Sequence, residues 1–276
     1  MTAEKGELGV LEPDEDSVSV TKVDDVSTLQ ELTKAEVDTQ VRTAKEFPRS
    51  ISKFQDEVFA LATLDQETAD SMFYGFSRGG KWIEGPSVRF AEIVAYAWGN
   101  LRVEGRVIDV GRKEVTAQGI AWDLEKNIGS RIEVKRSILT KKGKRYSEDQ
   151  VTVTANAAVK IAIRNAIFNT IPAALAKKAY QAALDQASGA GKSMEELRKE
   201  WVGYFTQIDA VDEKDVFRVL GVEGMADIQP EHIRHLKGLK NAIAEGSITI
   251  ESAFADPKDQ SSGAKDLEEE LGGDDE

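Results

Sequence analysis

The chain has 276 residues, with 36 Lys and Arg against 49 Asp and Glu, a formal charge of -13 and a pI near 4.9. Taken whole, that balance argues against the basic footprint of a nucleic-acid-binding protein, and the absence of cysteine excludes a disulfide framework, a thiolate nucleophile and Cys-ligated zinc. The sign changes along the chain, however. Residues 1–70 hold 7 basic and 17 acidic side chains, residues 71–180 hold 19 and 10, and residues 181–276 hold 10 and 22, so a basic middle lies between two acidic ends.

Residues 1–33 are acidic and poor in aromatics, which predicts a disordered N-terminal arm. From Arg49 to Thr63, Ile51, Phe54, Val58 and Leu61 recur at helical spacing, and a short helix is expected near Asp65 to Phe73. The stretch 74–100 reads as a glycine-punctuated loop followed by a helix with Pro86 in its first turn and Phe90, Ile93, Val94 and Ala97 on its buried stripe. Runs at 100–110, 114–124 and 131–139 read as strands of an antiparallel meander, the third alternating Ile132 and Val134 with Arg131, Glu133 and Lys135.

The turn at 140–146 is strongly basic, and Ser147 with Gln150 matches a capping box opening a long helix that Pro172 ends or kinks. A further helix to about Ala187 completes a core over 34–187. A Gly/Ser-rich linker is expected at 188–200, a small two- or three-helix module at 201–254, and a disordered acidic tail with nine acids at 255–276. The predicted fold class is α+β: a three-stranded antiparallel meander packed against helices, then a small C-terminal helical module.

No secretory signal is legible at the start, and the most apolar stretch, Val151 to Ala176, is interrupted by Lys160, Arg164 and Pro172. A soluble, cytoplasmic protein without membrane contact is therefore expected. The segment Gly189 to Ser193 (GAGKS) mimics the end of a phosphate-binding loop, but Gln186 stands where the motif needs glycine and an Ala-rich helix precedes it, so linker plus a Ser193/Glu196 capping box is the better reading. His232 and His235 are too few to ligate zinc and read as part of a solvated helix face. No carboxylate pair stands out, and neither an enzyme active site nor a cofactor is expected.

Eleven of the nineteen aromatic residues lie between 71 and 180, the composition of a single-strand-binding surface in which cations track phosphates and rings stack on bases. Trp98 and Trp122 are expected in the core. The phosphate-contacting candidates are Lys135, Arg136, Lys141, Lys142, Lys144 and Arg145 around the turn, Lys160 and Arg164 at i, i+4 on the long helix, and Arg78, Lys81 and Arg89 around the SRGG loop. If the helix crosses the sheet, the first two rows line one groove. The alternative is a non-enzymatic adaptor of a replication or recombination complex, acting through the C-terminal helices and acidic tail.

The runs KWIEGPSVRFAEIVAYAWGNLRV (81–103) and SEDQVTVTANAAVKIAIRNAIFNTIP (147–172), with the module at 212–254, resemble segments of RecT/Red-beta-type phage single-strand annealing recombinases and their Erf-like relatives. Asn165 stands where such proteins often carry a second basic residue after the position of Arg164. The resemblance implies ATP-independent annealing, with single-stranded DNA and the annealed duplex intermediate as ligands and a homo-oligomeric ring or helical filament as the working form. It also implies an exonuclease or single-strand-binding protein as a partner of residues 201–254.

Overall fold

A computed structural model describes residues 26–78, 81–140, 142–188, 191–209 and 211–255, which divide into two compact units, one up to Thr43 and one from Ala44. The first contains most of helix α1 (Val26–Glu46), 21 residues long. Residues 26–33, expected to be disordered, are thus helical, whereas the rest of that arm and nearly all of the acidic tail lie outside the described residues.

The second unit opens with α2 (Ile51–Ala62) and α3 (Gln66–Ser71), whose N-caps Ser50 and Asp65 accept hydrogen bonds from the backbone N–H of Lys53 and Thr68. The stretch expected as a loop is instead an antiparallel hairpin, β1 (Phe73–Arg78) and β2 (Lys81–Pro86). Pro86 therefore closes a strand, and Ser87 caps α4 (Val88–Trp98). The meander follows as β3 (Leu101–Val110), β4 (Glu114–Asp123) and β5 (Ile128–Ser137), in the order β3-β4-β5. The third strand starts before the expected Arg131, because within the β4–β5 turn it is Asn127 that takes the left-handed conformation, with φ 54°, and the chain is extended from Ile128.

Helix α5 (Glu148–Thr170) carries the expected capping box and lies across one sheet face. Odd-numbered β4 residues point at it, and the crossing is close because Gly119 faces the helix. A Cβ there would stand 2.3 Å from the carbonyl carbon of Ala162, a contact that only glycine avoids. Phe54, Val58, Phe90, Val94, Trp98 and Ile167 form the core between α2, α4 and α5.

Pro172 separates α5 from α6 (Ala173–Ser188). Among the described residues, four helices and a 3-10 turn follow: α7 (Met194–Thr206), α8 (Glu213–Leu220), α9 (Pro230–Ala244) and α10 (Ile250–Ala253). Helix α7 starts inside the expected linker. These helices share a core with Phe76 and Trp82 of the hairpin. Helix α9 packs directly on β1 where Gly238 meets Gly75, an added Cβ at Gly238 falling 2.9 Å from the Gly75 nitrogen. Buried Lys237 fixes the contact, donating at 2.8 Å to Asp70 and to the Ala187 carbonyl. The C-terminal helices thus belong to the same compact unit as the sheet, which runs on from Ala44. Among the described residues no helix is long and apolar enough to cross a membrane.

Candidate nucleic-acid interface

The two basic rows expected to face each other across a groove occupy different surroundings. On α5, Lys160 is exposed, but Arg164 is buried. Its guanidinium lies 3.6 Å from Glu245, at the end of α9, and 4.5 Å over the ring of Tyr74. On β5 the pleat sends neighbouring side chains to opposite faces. Arg136 points to the α5 side and is consumed by backbone, donating to the carbonyls of Gly246 at 2.5 Å and Ser247 at 3.0 Å. Lys135 points the other way and donates to Glu114 at 2.9 Å, which with that carboxylate's charge holds the ammonium pKa above its ordinary value. The Glu245–Ser247 segment thus occupies both inner arginines with a carboxylate and two carbonyls.

A different basic cluster is assembled at one end of the sheet. Beyond β5, Leu139 and Arg145 form an isolated bridge, and Gly143 is left-handed at φ 74°. Arg145 then reaches across to the β3–β4 turn and donates to the carbonyls of Gly111 at 2.7 Å and Arg112 at 3.4 Å. The Ile138 N–H also donates to the Lys113 carbonyl at 2.9 Å, pinning the same turn to β5. Exposed Arg112, Lys113, Lys142 and Lys144 are thereby gathered around Arg145, with Lys135 on the adjoining strand. Lys141 lies outside the described residues. Asp109, Glu114 and Glu148 border the group; among the described residues Glu114 pairs with Lys135 and Glu148 lies 3.8 Å from Arg145.

Arg112 and Lys113 are absent from the sequence-derived set. Their signal was present nonetheless: in a three-stranded meander the first turn and the end of the third strand necessarily lie at the same end of the sheet. The remaining candidates sit elsewhere. Arg78 and Lys81 face each other, exposed, at the tip of the β1–β2 hairpin, and Arg89 is exposed on α4, 3.0 Å from Glu92.

Of the two tryptophans expected in the core, Trp98 is buried, edge-on to Phe54 at 5.0 Å and donating to Asp123 at 3.1 Å. Trp122 belongs to the sheet face away from α5, where it is half-buried between Arg102 and Gly129 and donates to Asn127 at 3.2 Å. The half-buried Trp122 ring leaves part of its surface accessible to a stacking partner.

The histidines are not on a solvated face. His235 stacks on Trp82 with centroids 4.1 Å apart, and His232 accepts through Nδ1 from the Gln229 N–H. Ser193 and Glu196 form the expected reciprocal capping box, while Gly189 and Ala190 lie outside the described residues. Compared with known proteins, the chain matches no protein-family model, no curated protein and no solved structure.

Proposed function

We propose that this protein is an ATP-independent single-strand annealing protein that holds single-stranded DNA through its phosphates and promotes pairing with a complementary strand. The observation that supports this reading most directly is the sheet-end cluster: Arg112, Lys113, Lys142, Lys144 and Arg145 gathered by hydrogen bonds between two turns. Cations fixed on tight turns neutralise phosphate without a base-specific contact, so binding is sequence-tolerant and leaves base edges free. Pairing is itself downhill, and the barrier that a protein can lower is the mutual repulsion of two phosphate backbones. Such a step needs neither nucleotide nor covalent chemistry, and no enzymatic activity is assigned. Exposed Lys160 and the hairpin-tip pair Arg78 and Lys81 extend the set of phosphate contacts, and Arg89 adds a further exposed cation.

In this reading the working form is a homo-oligomer, a ring or helical filament, in the cytoplasm. The helices at 201–254 receive an exonuclease or single-strand-binding protein. The test uses complementary fluorophore-labelled oligonucleotides at low salt without nucleotide. Faster pairing in the presence of the protein, lost as salt rises, is the expected result. A blank gel shift with a single-stranded oligonucleotide would overturn it in favour of the adaptor reading.

A further inference from the structure

Among the described residues, the outer edge of β3 pairs with no other strand. The Leu124 N–H donates to the Asn100 carbonyl at 3.0 Å, and Leu101 stands opposite Asp123 in the register. In an antiparallel ladder, hydrogen-bonded and non-hydrogen-bonded residue pairs alternate. Arg102, Glu104 and Arg106 therefore spend their backbone groups on β4, whereas Leu101, Val103, Gly105 and Val107 aim theirs away from the sheet. The same edge is apolar on the α5 side, because α5 sits over β4 and β5. Val103 and Val107 are left 37% and 39% exposed. A bulge after Val107 ends the straight segment. Unpaired edges of this kind recruit another strand unless blocked, and this one carries neither proline nor lysine.

We propose that the occupant is a second copy of this chain, joined by antiparallel pairing of β3 with the partner's β3 about a two-fold axis through Gly105. The charges select that register. Centred on Gly105, Glu104 stands opposite Arg106 of the partner subunit on the face away from α5, and the relation repeats by symmetry. Val103 stands opposite Val107 of the partner subunit on the α5 face, so each exposed valine covers another. Opposite charges directly across a strand pair are favourable and like charges are not. Centring on Glu104 would set Glu104 against itself and Arg102 against Arg106; centring on Val103 would leave Val107 uncovered. The Val103–Val107 pairs are those whose backbone groups point outward, so the ladder accommodates the alignment that the charges select. A two-fold interface of this kind closes on itself and makes one six-stranded sheet with both α5 helices on the same face.

The contact closes as a dimer, so the ring or filament of the annealing reading would be built from such dimers through a second, different contact; the dimer is tested without DNA, so the two fail separately. The full chain is examined by sedimentation equilibrium across a concentration series. The wild-type chain is expected to dimerise. Glu104→Arg places arginine against arginine, and Arg106→Glu places glutamate against glutamate, so each variant alone is expected to shift to monomer. Their equimolar mixture is expected to recover dimer, because each variant complements the other at both pairs, and the double variant Glu104→Arg/Arg106→Glu recovers it by itself.

With no native cysteine, Val103→Cys and Val107→Cys supply a second readout, since residues of a hydrogen-bonded antiparallel pair sit at about 5.5 Å, within disulfide reach. Oxidation is expected to cross-link a mixture of the two single variants into heterodimer but neither variant with itself. A monomeric wild-type chain at all concentrations, an assembly whose mass ignores both charge variants, or self-cross-linking of Val103→Cys would each overturn the proposal.

Discussion

The carboxylate of Glu245 lies 3.6 Å from the Arg164 guanidinium through one oxygen and accepts the Val88 N–H at 2.7 Å through the other. One side chain at the end of α9 thereby neutralises a buried cation on α5 and satisfies a free donor in the first turn of α4. Both charged side chains are about nine-tenths buried, with 9% and 11% exposure. Arg164 is thus a structural cation first.

From this it follows that Arg164→Ala, by leaving Glu245 buried without its partner, costs about 3–5 kcal/mol of stability. Lys160→Ala, one turn earlier and exposed, changes stability by less than about 0.5 kcal/mol. Thermal or urea unfolding of the two variants checks this. Equal, small losses would show that Arg164 is solvated rather than tied to Glu245.

The sheet-end cluster makes the opposite prediction. Arg112→Ala, Lys113→Ala, Lys142→Ala and Lys144→Ala should leave the melting temperature near that of the wild type while weakening single-strand binding for every sequence alike. Each lost phosphate contact should reduce the slope of log affinity against log salt by about 0.7. Fluorescence anisotropy titrations at several salt concentrations measure that slope. A loss confined to particular sequences would point to base readout instead.

Much of the architecture is legible locally. The strand alternation of Ile132 and Val134, the capping boxes at Ser147 and Ser193, and the break at Pro172 all describe residues within a few positions of one another, and each is found where the spacing places it. The β1–β2 hairpin was hidden by its glycines. Gly75 and Gly85 read as loop residues, yet they are strand residues lying beneath aromatic rings, with an added Cβ at Gly75 falling 2.6 Å from the Trp82 ring and one at Gly85 falling 3.2 Å from Tyr74. Arg164 was misplaced for another reason. Helical spacing correctly puts it near the Lys160 side of α5, but its partner stands 81 positions later, and no local pattern reports that Glu245 returns to cover it. Long-range burial, unlike periodicity, is decided by the fold.

Gly119 is a test of how closely α5 crosses the sheet. Gly119→Ala would force its methyl group within 2.4 Å of the Ala162 carbonyl oxygen, so either helix or strand must shift. A loss of at least about 1–3 kcal/mol is expected, as for other overpacked interiors. Gly203, inside α7 with nothing within 4 Å of an added Cβ, provides the contrast. Gly203→Ala is expected to stabilise by about 0.5–1 kcal/mol through helix propensity. Chemical unfolding of the pair separates the steric effect from the backbone-entropy effect.

The acid side of the stability curve is set in part by His235 and Asp123. Burial against Trp82, then the positive charge of Arg234 and the proximity of His232, pull the His235 pKa down to about 4, with Glu231 opposing weakly. Its unfolded value is near 6.5. Between about pH 6.5 and pH 4 the unfolded chain therefore binds a proton that the native chain refuses, and stability falls as pH drops through that window. Burial pushes the Asp123 carboxyl up, but the Arg49 fork, the Lys126 N–H and the Trp98 indole outweigh it and hold it below the usual carboxylate range. Its contribution is present above the unfolded value near 3.9 and is lost as pH falls through the lower folded one, so it begins to fail only where the histidine effect is ending. His235→Phe keeps a ring against Trp82 and removes the titration. Urea midpoints for this variant and the wild type should therefore diverge progressively from pH 6.5 to pH 4, in favour of the variant, and then decline together below pH 4. Parallel decline across the whole range would mean that His235 is protonated in the native protein.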